Sequence, residues 1–259
     1  MQVSGCKRSD VPAFEKKKAA TEEQGESGGE EGKYPVLGSY NAYTVSNCPE
    51  ISGICLNKAG DGLIAVGDQG QISSVTLDGK CTKIWYHDAD MEDVTLDPRT
   101  GNLYIAIEGS QKVYQVDYPD YNTYKTIWYV QEAVDRRFDN SGLEGISYYK
   151  DDIIFVGSQW GAFLWQYRLD GTMISKVSLE DFADEVAGLC YDPVADWLWV
   201  VDSDSRKIYI CTVDGKLLHS YSVSHIGNAE SICVDRAHNA IWVGDDADTP
   251  KLYRFECKF

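Results

Sequence analysis

Three glutamates lie at the same position of a repeated apolar segment. Glu92, Glu144 and Glu230 are each the second residue of a six-residue run, as in LEGISY at 143–148. Carboxylate oxygens are the ligands that hard divalent cations prefer, and calcium takes six to eight oxygen ligands at about 2.3–2.6 Å. The three glutamates are therefore candidate metal ligands, and calcium is the cofactor that we expect.

The apolar segment occurs five times along the chain. The third residues of the five runs are Gly53, Asp93, Gly145, Gly188 and Ser231, so the spacings are 40, 52, 43 and 43 residues. A period of about 40 to 50 residues is typical of the four-stranded blades of a β-propeller. The glutamates must therefore be positioned by equivalent strands of neighbouring blades.

Each copy continues with the same order of turns and β-rich segments. In three copies the third β-rich segment ends in Asp-Gly, at 78–79, 170–171 and 214–215. Asp-Gly favours the positive φ angles of a tight hairpin, which predicts a fourth antiparallel strand in each copy. The fifth copy ends before such a strand, so we expect residues 40–45 to complete it and to leave no open edge. The sequence predicts an all-β fold, a five-bladed β-propeller closed by an N-terminal strand.

Propeller geometry selects further candidates around the glutamates. The first strand of a blade lines the central channel, and its start shares one rim with the end of the second strand. The residues at or near the ends of the second strands that could bind a metal or another ligand are Asp68, Glu108, Ser158, Trp160, Asp202 and Asp245. Up to seven carboxylates then converge on a narrow mouth, where repulsion raises their pKa values or a cation neutralises them.

Each of these candidates also has a structural interpretation. The glutamates can cap the channel by bonding backbone N–H groups and water, and Asp at the end of a strand is common in turns. Trp160 can stack on a sugar or a cationic group at the rim, or it can pack against a neighbouring blade. The sequence leaves both alternatives open.

The repeats resemble those of the SdiA-regulated (YjiK-like) family of bacterial propellers, over about residues 45–259. The resemblance implies five blades, a distant similarity to NHL-repeat proteins and calcium binding, with no established activity. In gluconolactonase-like and regucalcin-like propellers a Glu in a similar Glu-Gly pair is a metal ligand, and Glu144-Gly145 matches that pair. Ser52 and Ala187 interrupt the ring of glutamates, so coordination by all five blades is excluded.

Two functions are compatible with these observations. The first is an extracytoplasmic calcium-binding propeller, a binding or scaffold module for an unidentified small molecule, glycan or protein at the rim. The second is a metal-dependent hydrolase of lactones or esters, in which the metal polarises a carbonyl and a rim carboxylate acts as general base. The sequence contains no Gly-x-Ser-x-Gly elbow and no phosphate-binding glycine loop, and it assigns no catalytic residue.

The charge of the chain limits its partners. The 259 residues include 24 Lys and Arg and 41 Asp and Glu, which gives a net charge of −17. Such a surface repels phosphate backbones, so we expect no nucleic-acid partner. No apolar run approaches the ~18 residues that span a bilayer. We expect a monomer whose contact with a membrane, if there is one, is through a lipid anchor.

The N-terminal segment, residues 1–33, differs in composition from residues 34–259. It is rich in Lys, Glu and Gly and has few apolar residues, which predicts a disordered tether before the propeller. Val3-Ser4-Gly5-Cys6 resembles the lipobox of bacterial lipoproteins, with Cys6 as the lipidated residue. A preceding apolar segment is missing, so either the start codon lies inside a signal peptide or the match is chance. The lipobox predicts a periplasmic or outer-membrane lipoprotein of the cell envelope.

The eight cysteines differ in whether the sequence allows them to form disulfides. Cys55, Cys190 and Cys233 occupy one register of the repeated segment, where a small side chain fits between crowded blades. Because they belong to different blades, we expect no disulfides among them. Cys48 and Cys81 could form a bridge, but the sequence does not give their distance.

Overall fold

The computed structural model describes residues 15–17, 33–136 and 142–259. The strands that precede the first repeat are β1 (Glu15–Lys17) and β2 (Val36–Thr44). Blade 1 consists of β3 (Gly53–Leu56), β4 (Gly62–Gly67), β5 (Gln71–Thr76) and β6 (Cys81–Tyr86). Blade 2 consists of β7 (Met91–Leu96), β8 (Leu103–Ile107), β9 (Lys112–Val116) and β10 (Tyr124–Tyr129).

A short helix, α1 (Gln131–Arg136), leads towards the third blade. Blade 3 consists of β11 (Leu143–Tyr148), β12 (Ile153–Ser158), β13 (Phe163–Arg168) and β14 (Met173–Ser178). Blade 4 consists of β15 (Gly188–Asp192), β16 (Trp197–Asp202), β17 (Lys207–Thr212) and β18 (Leu217–Ser222). Blade 5 contains β19 (Ala229–Asp235), β20 (Ala240–Asp245) and β21 (Lys251–Lys258). Single 3₁₀ turns lie at Trp160–Ala162 and Arg236–His238.

The five sheets form a closed ring, which confirms the predicted five-bladed propeller. Each blade is an antiparallel sheet in chain order, and the innermost strands contact one another in the order β3, β7, β11, β15, β19 and again β3. The glycines of the three predicted Asp-Gly turns have φ angles of 83° to 87°, as tight hairpins require. The apolar segment that starts the first strand recurs in all five copies and the Asp-Gly turn in three, which accounts for the repeated antiparallel sheets.

The ring closes through the N-terminal strand, as predicted. β2 pairs antiparallel with β21, with Tyr40 opposite Phe255, and is longer than the predicted residues 40–45. β1 pairs in turn with β2, so blade 5 has five strands. The predicted tether includes this strand, and most of residues 1–33, Cys6 among them, lies outside the described residues. The boundary at residue 33 stays a prediction.

Close packing of the innermost strands defines the channel. The third positions of the repeats are glycine in three blades, and a Cβ on Gly188 would lie 2.3 Å from the backbone oxygen of Glu230 in blade 5. A Cβ on Gly53 would lie 2.4 Å from the Cα of Asp93 in blade 2. Only glycine permits this approach of two backbones. The narrow channel that results brings the side chains at its mouth together.

Apolar layers between adjacent blades hold the ring. Each layer joins the facing surfaces of two blades, as where Ile64 and Ile72 of blade 1 meet Ile105 and Tyr114 of blade 2. These side chains are at most 5% exposed. Because neighbouring blades cover both faces of the inner strands, these strands are largely apolar on both sides, whereas the outermost strands β6, β10 and β14 are more exposed.

Candidate metal site at the channel mouth

The glutamates lie at irregularities in the sheets. The pairing of the first and second strands shifts register between Met91 and Val94, between Leu143 and Ile146, and between Ala229 and Ser231. Each interval contains one of Glu92, Glu144 and Glu230. A β-bulge bends the strand and changes the direction of a side chain, and bulges are common beside functional sites.

Asp68, Asp90 and Glu92 form a compact group of carboxylates. One oxygen from each lies within 4.8 Å of the oxygens of the other two. A calcium ion bound at about 2.3–2.6 Å by two oxygens separates them by at most about 5.2 Å, so this spacing suits a shared cation. Asp68 is exposed, Asp90 is half-buried and Glu92 is buried, so the group opens from the channel towards solvent. These three acidic residues could hold a metal ion.

Different elements supply the three carboxylates. Asp68 directly follows β4, Asp90 directly precedes β7, and Glu92 is the second residue of β7. The Ser52 hydroxyl donates a hydrogen bond of 2.9 Å to Asp68 Oδ1, which orients this exposed side chain. The group therefore lies between blades 1 and 2, on the rim where first strands start and second strands end.

The other two predicted metal ligands, Glu144 and Glu230, are not members of this group, but their charges interact with that of Glu92. Glu92 experiences the charge of Glu230, and Glu144 experiences the charges of both Glu92 and Glu230. The channel mouth therefore brings the charges of the three glutamates together, while the compact oxygen group contains Glu92 alone of the three. A ligand role for each glutamate stays a prediction.

Burial and mutual repulsion raise the pKa values of these carboxyls. Burial, followed by the charges of Asp68 and Asp90, raises the pKa of Glu92 to about 10. Burial and Asp246 raise the pKa of Glu230 to about 9. Partial desolvation of the Asp68 carboxyl by the protein around it, although the residue is exposed as a whole, raises its pKa to about 6. The pKa of Glu144 is also well above its usual range, mainly through burial. The mouth therefore favours either protons or a bound cation over a set of bare carboxylates.

Four of the predicted rim residues bond to backbone groups. Glu108 accepts from the N–H of Gly142 at 3.0 Å, and Asp245 accepts from the N–H of Asn228 at 2.9 Å. Asp202 accepts from two backbone N–H groups, and the Ser158 hydroxyl donates to the carbonyl of Trp160 at 2.7 Å. These contacts match the structural interpretation for these residues, since they hold the loops that surround the mouth. Their role in ligand binding stays a prediction.

Trp160 packs against side chains of blade 3 at the layer between blades 2 and 3. Its ring lies 4.7 Å from that of Phe163 in an edge-on arrangement, and the Lys176 ammonium lies 5.6 Å from the centre of the indole. The indole is half-buried against the apolar layer between blades 2 and 3. Contact between Trp160 and a ligand at the rim also stays a prediction.

Asp93 is an important channel residue that the sequence analysis did not select. Its side chain is fully buried and accepts hydrogen bonds from the N–H groups of Ile146 at 2.9 Å and Leu189 at 3.2 Å. These two donors belong to blades 3 and 4, so one carboxyl joins three blades across the channel. The position of Asp93 in the repeat is Gly or Ser in the other four copies. This difference in the sequence could have indicated a special role for Asp93.

Asp90 was also missed. It lies two residues before Glu92, and successive side chains of a strand alternate between faces, so residues two apart share a face. This spacing could have indicated the pairing of Asp90 with Glu92. Glu185 belongs to the same acidic surroundings, and its carboxylate accepts from the backbone N–H groups of Ser203 and Asp204 at 2.9 and 3.1 Å.

In the described part of the chain, none of the helices has the length and apolar character needed to cross a bilayer.

Comparisons with known proteins agree with this architecture. The profile of the SdiA-regulated family matches residues 162–257. No curated protein matches the sequence. Among solved structures, the glutaminyl cyclase of Myxococcus xanthus is similar with a TM-score of 0.61 and 12% identity, over 84% of this chain and 96% of that chain.

Two further solved structures share the fold. XC5397 of Xanthomonas campestris, described as a gluconolactonase, has a TM-score of 0.54 and 12% identity over 85% of this chain and 91% of its own. Streptogramin B lyase has a TM-score of 0.51 and 17% identity over 81% of this chain, which spans 65% of the lyase. These similarities concern the fold alone. The family match over residues 162–257 and the five-bladed ring both support the resemblance of the repeats to the SdiA-regulated β-propeller proteins.

Proposed function

We propose that the protein is a calcium-binding propeller that acts as an extracytoplasmic binding module, with the cation held at the channel mouth by Asp68, Asp90 and Glu92. The observation that carries the proposal is the set of three carboxylate oxygens within 4.8 Å of one another. Carboxylates that are crowded and partly buried gain most from a cation, because it removes their mutual repulsion.

The chemistry of the group favours a hard cation. All three ligands are carboxylates, whereas zinc sites in proteins are built mainly from His and Cys. Calcium also accepts an irregular ligand set that water or a bound partner completes, while magnesium demands a near-ideal octahedron. The acidic surroundings at the mouth raise the local concentration of cations. The exposed side chain of Asp68 supports a site that cations reach from solvent.

Calorimetric titration of calcium into the full-length protein tests this proposal. We expect one site, and an affinity reduced by at least about tenfold in Glu92→Gln, which removes a charge and keeps the shape. Glu256→Gln is the matched control, because Glu256 is an exposed residue of β21 whose carboxylate accepts from the Ser39 hydroxyl. Unchanged affinity in Glu92→Gln, or no calcium binding by the wild type, would refute the site.

Glu144→Gln separates two versions of the site. If Glu92, Glu144 and Glu230 share one cation, this substitution should weaken calcium binding as much as Glu92→Gln does. If the cation lies among Asp68, Asp90 and Glu92, the effect of Glu144→Gln should be smaller, because only a long-range charge is lost. We expect the smaller effect, and equal effects would assign the site to the three glutamates.

A metal-dependent hydrolase of lactones or esters is the second candidate function. The observation that favours it is the exposure of Asp68, which leaves one side of the carboxylate group open to a substrate carbonyl. The fold is also similar to that of a protein described as a gluconolactonase. Calcium-dependent hydrolysis of a panel of lactones and aryl esters, lost in Glu92→Gln, would support catalysis, and inactivity on the panel would favour the binding module.

The extracytoplasmic location rests on the lipobox-like residues before Cys6 and is a separate proposal. Labelled palmitate should enter the protein expressed in bacteria with a complete signal peptide, and it should not enter a Cys6→Ala variant. Labelling of both variants, or of neither, would contradict the lipid anchor.

A further inference from the structure

Two cysteines meet where the ring closes. Cys48 lies in the segment between β2 and β3, and Cys81 is the first residue of β6, the outermost strand of blade 1. Shortly before these two cysteines, Ser46 and Lys80 form an isolated parallel β-bridge. The segment that leaves the closing strand is therefore held against the outer part of blade 1.

The two thiols share their surroundings. Cys48 Sγ donates to the buried hydroxyl of Ser73 at 3.4 Å, each thiol affects the pKa of the other, and Ser73 lowers the pKa of both. Both side chains belong to the apolar cluster that joins blade 1 to blade 5. Cys48 is 6% exposed and Cys81 is half-buried, and both are free thiols in the structure. One thiol is thus partly exposed to a reagent, and the other is buried in the same cluster.

We propose that Cys48 and Cys81 are the site of a disulfide that fastens the segment after the closing strand to blade 1. The bond would close a loop from residue 48 to residue 81, which contains most of the first blade. Cross-linking such a loop restricts the unfolded chain and so favours the folded ring.

Thiol–disulfide exchange with a small disulfide such as oxidised glutathione would form the bond. The Cys81 thiolate attacks one sulfur of the reagent, the reagent's S–S bond breaks, and one glutathione thiolate leaves and takes up a proton. The Cys48 thiolate then attacks the Cys81 sulfur and displaces the second glutathione. Two protein thiols are oxidised and one glutathione disulfide is reduced to two thiols, so electrons and protons balance.

The other thiol pair in the channel is a less suitable site. Cys190 and Cys233 also interact with each other, and the backbone N–H of Val234 donates to Cys190 Sγ at 3.3 Å. Cys190 is half-buried and Cys233 is buried, and they belong to β15 and β19, the innermost strands of blades 4 and 5. Cys81 instead lies on β6, the outermost strand of blade 1, and this position at the edge of a blade distinguishes the first pair.

Incubation of the full chain with oxidised glutathione, followed by alkylation and peptide mapping, tests the proposal. We expect a cross-linked peptide pair containing Cys48 and Cys81, formed faster as the pH rises, because burial raises the pKa of both thiols. The melting temperature should rise by roughly 5–10 °C on oxidation. Cys48→Ser should instead retain glutathione on Cys81, and Cys211→Ser, which removes a buried thiol of β17, should behave as the wild type.

Three results would overturn the proposal. Cross-linking of other cysteines would show that the pair is not the preferred site. Stable glutathione on Cys81 of the wild type would show that Cys48 cannot reach it. A Cys48–Cys81 bond with no rise in melting temperature would refute its role as a fastening of the ring.

Discussion

Buried acids are the dominant feature of the molecule at the scale of single residues. The charges that act on Glu92 and Glu144 are those of other carboxylates, so every bare charge at the mouth raises the free energy of its neighbours. Asp93 differs from them, because backbone N–H groups of three blades satisfy its carboxyl. The carboxyl of Asp93 therefore joins three blades, while Glu92 and Glu144 favour protonation or a neighbouring cation.

The stability of the protein without calcium should depend on pH. Asp68 and Glu230 have pKa values raised to about 6 and about 9, whereas such groups titrate near ~4 in an unfolded chain. Between these values the native state holds more protons than the unfolded state, so the free energy of unfolding falls as the pH rises. Melting temperatures measured in chelator should therefore fall from about pH 5 to about pH 9.

Calcium should reduce this dependence, because the cation replaces the protons and binds the native state alone. Melting curves with and without excess calcium, recorded over the same pH range, provide the comparison. A melting temperature in chelator that is constant or rises with pH would contradict the assignment of raised pKa values.

Asp93→Ala should destabilise the fold by about 2–4 kcal/mol, because it leaves buried N–H groups in blades 3 and 4 without an acceptor. Asp93→Asn should cost less, since the amide oxygen still accepts and the pKa of Asp93 is already well above its usual range. Denaturant unfolding measures both changes. Equal stability of Asp93→Ala and the wild type would show that these hydrogen bonds contribute little.

Glycines and bulges position the site at the scale of the strands. Gly53 and Gly188 allow neighbouring innermost strands to touch, and register shifts in β7, β11 and β19 occur where the glutamates lie. The packing of the first strand of each blade thus determines both the width of the channel and the direction of its acidic side chains.

Gly188→Ala should lower stability by about 1–3 kcal/mol, because its Cβ would clash with the backbone oxygen of Glu230 and both strands must move. Gly38→Ala in β2 is the matched control, because the nearest atom to its Cβ would be at 3.4 Å. Thermal unfolding of both variants distinguishes them. Similar melting temperatures would mean that the innermost strands adjust easily.

The fold could be predicted from the sequence more fully than the site. The recurrence of the apolar run and the Asp-Gly turns determine the strand order, and the incomplete fifth repeat indicates the closing strand that β2 supplies. Which carboxylates approach one another depends on bulges and side-chain directions, and a repeat pattern does not contain these. The pattern therefore indicated Glu92 but missed Asp90, which precedes the repeated segment.

Closure of the ring is the main property of the whole molecule. β2 contributes a long pairing with β21, and the innermost strands contact one another around the full circle. A closed ring has no free central edge and holds the rim as a rigid platform. Rigid positioning of the acidic mouth is what a binding module requires.

Deletion of residues 1–32 should leave the melting temperature nearly unchanged. The deletion removes β1, which adds three residues to the outer edge of blade 5, and it retains β2. Calorimetry of the truncated and full-length proteins measures the effect. A fall of more than about 5 °C would show that the N-terminal segment supports the propeller and is not a tether.

The position of a bound cation is the most direct test of the proposed metal site. A crystal structure determined with calcium, and with a lanthanide in its place for anomalous scattering, would locate the ion. We predict one peak coordinated by Asp68, Asp90 and Glu92, with the remaining ligands facing solvent. A peak elsewhere in the channel, or no peak at millimolar calcium, would contradict the proposed site.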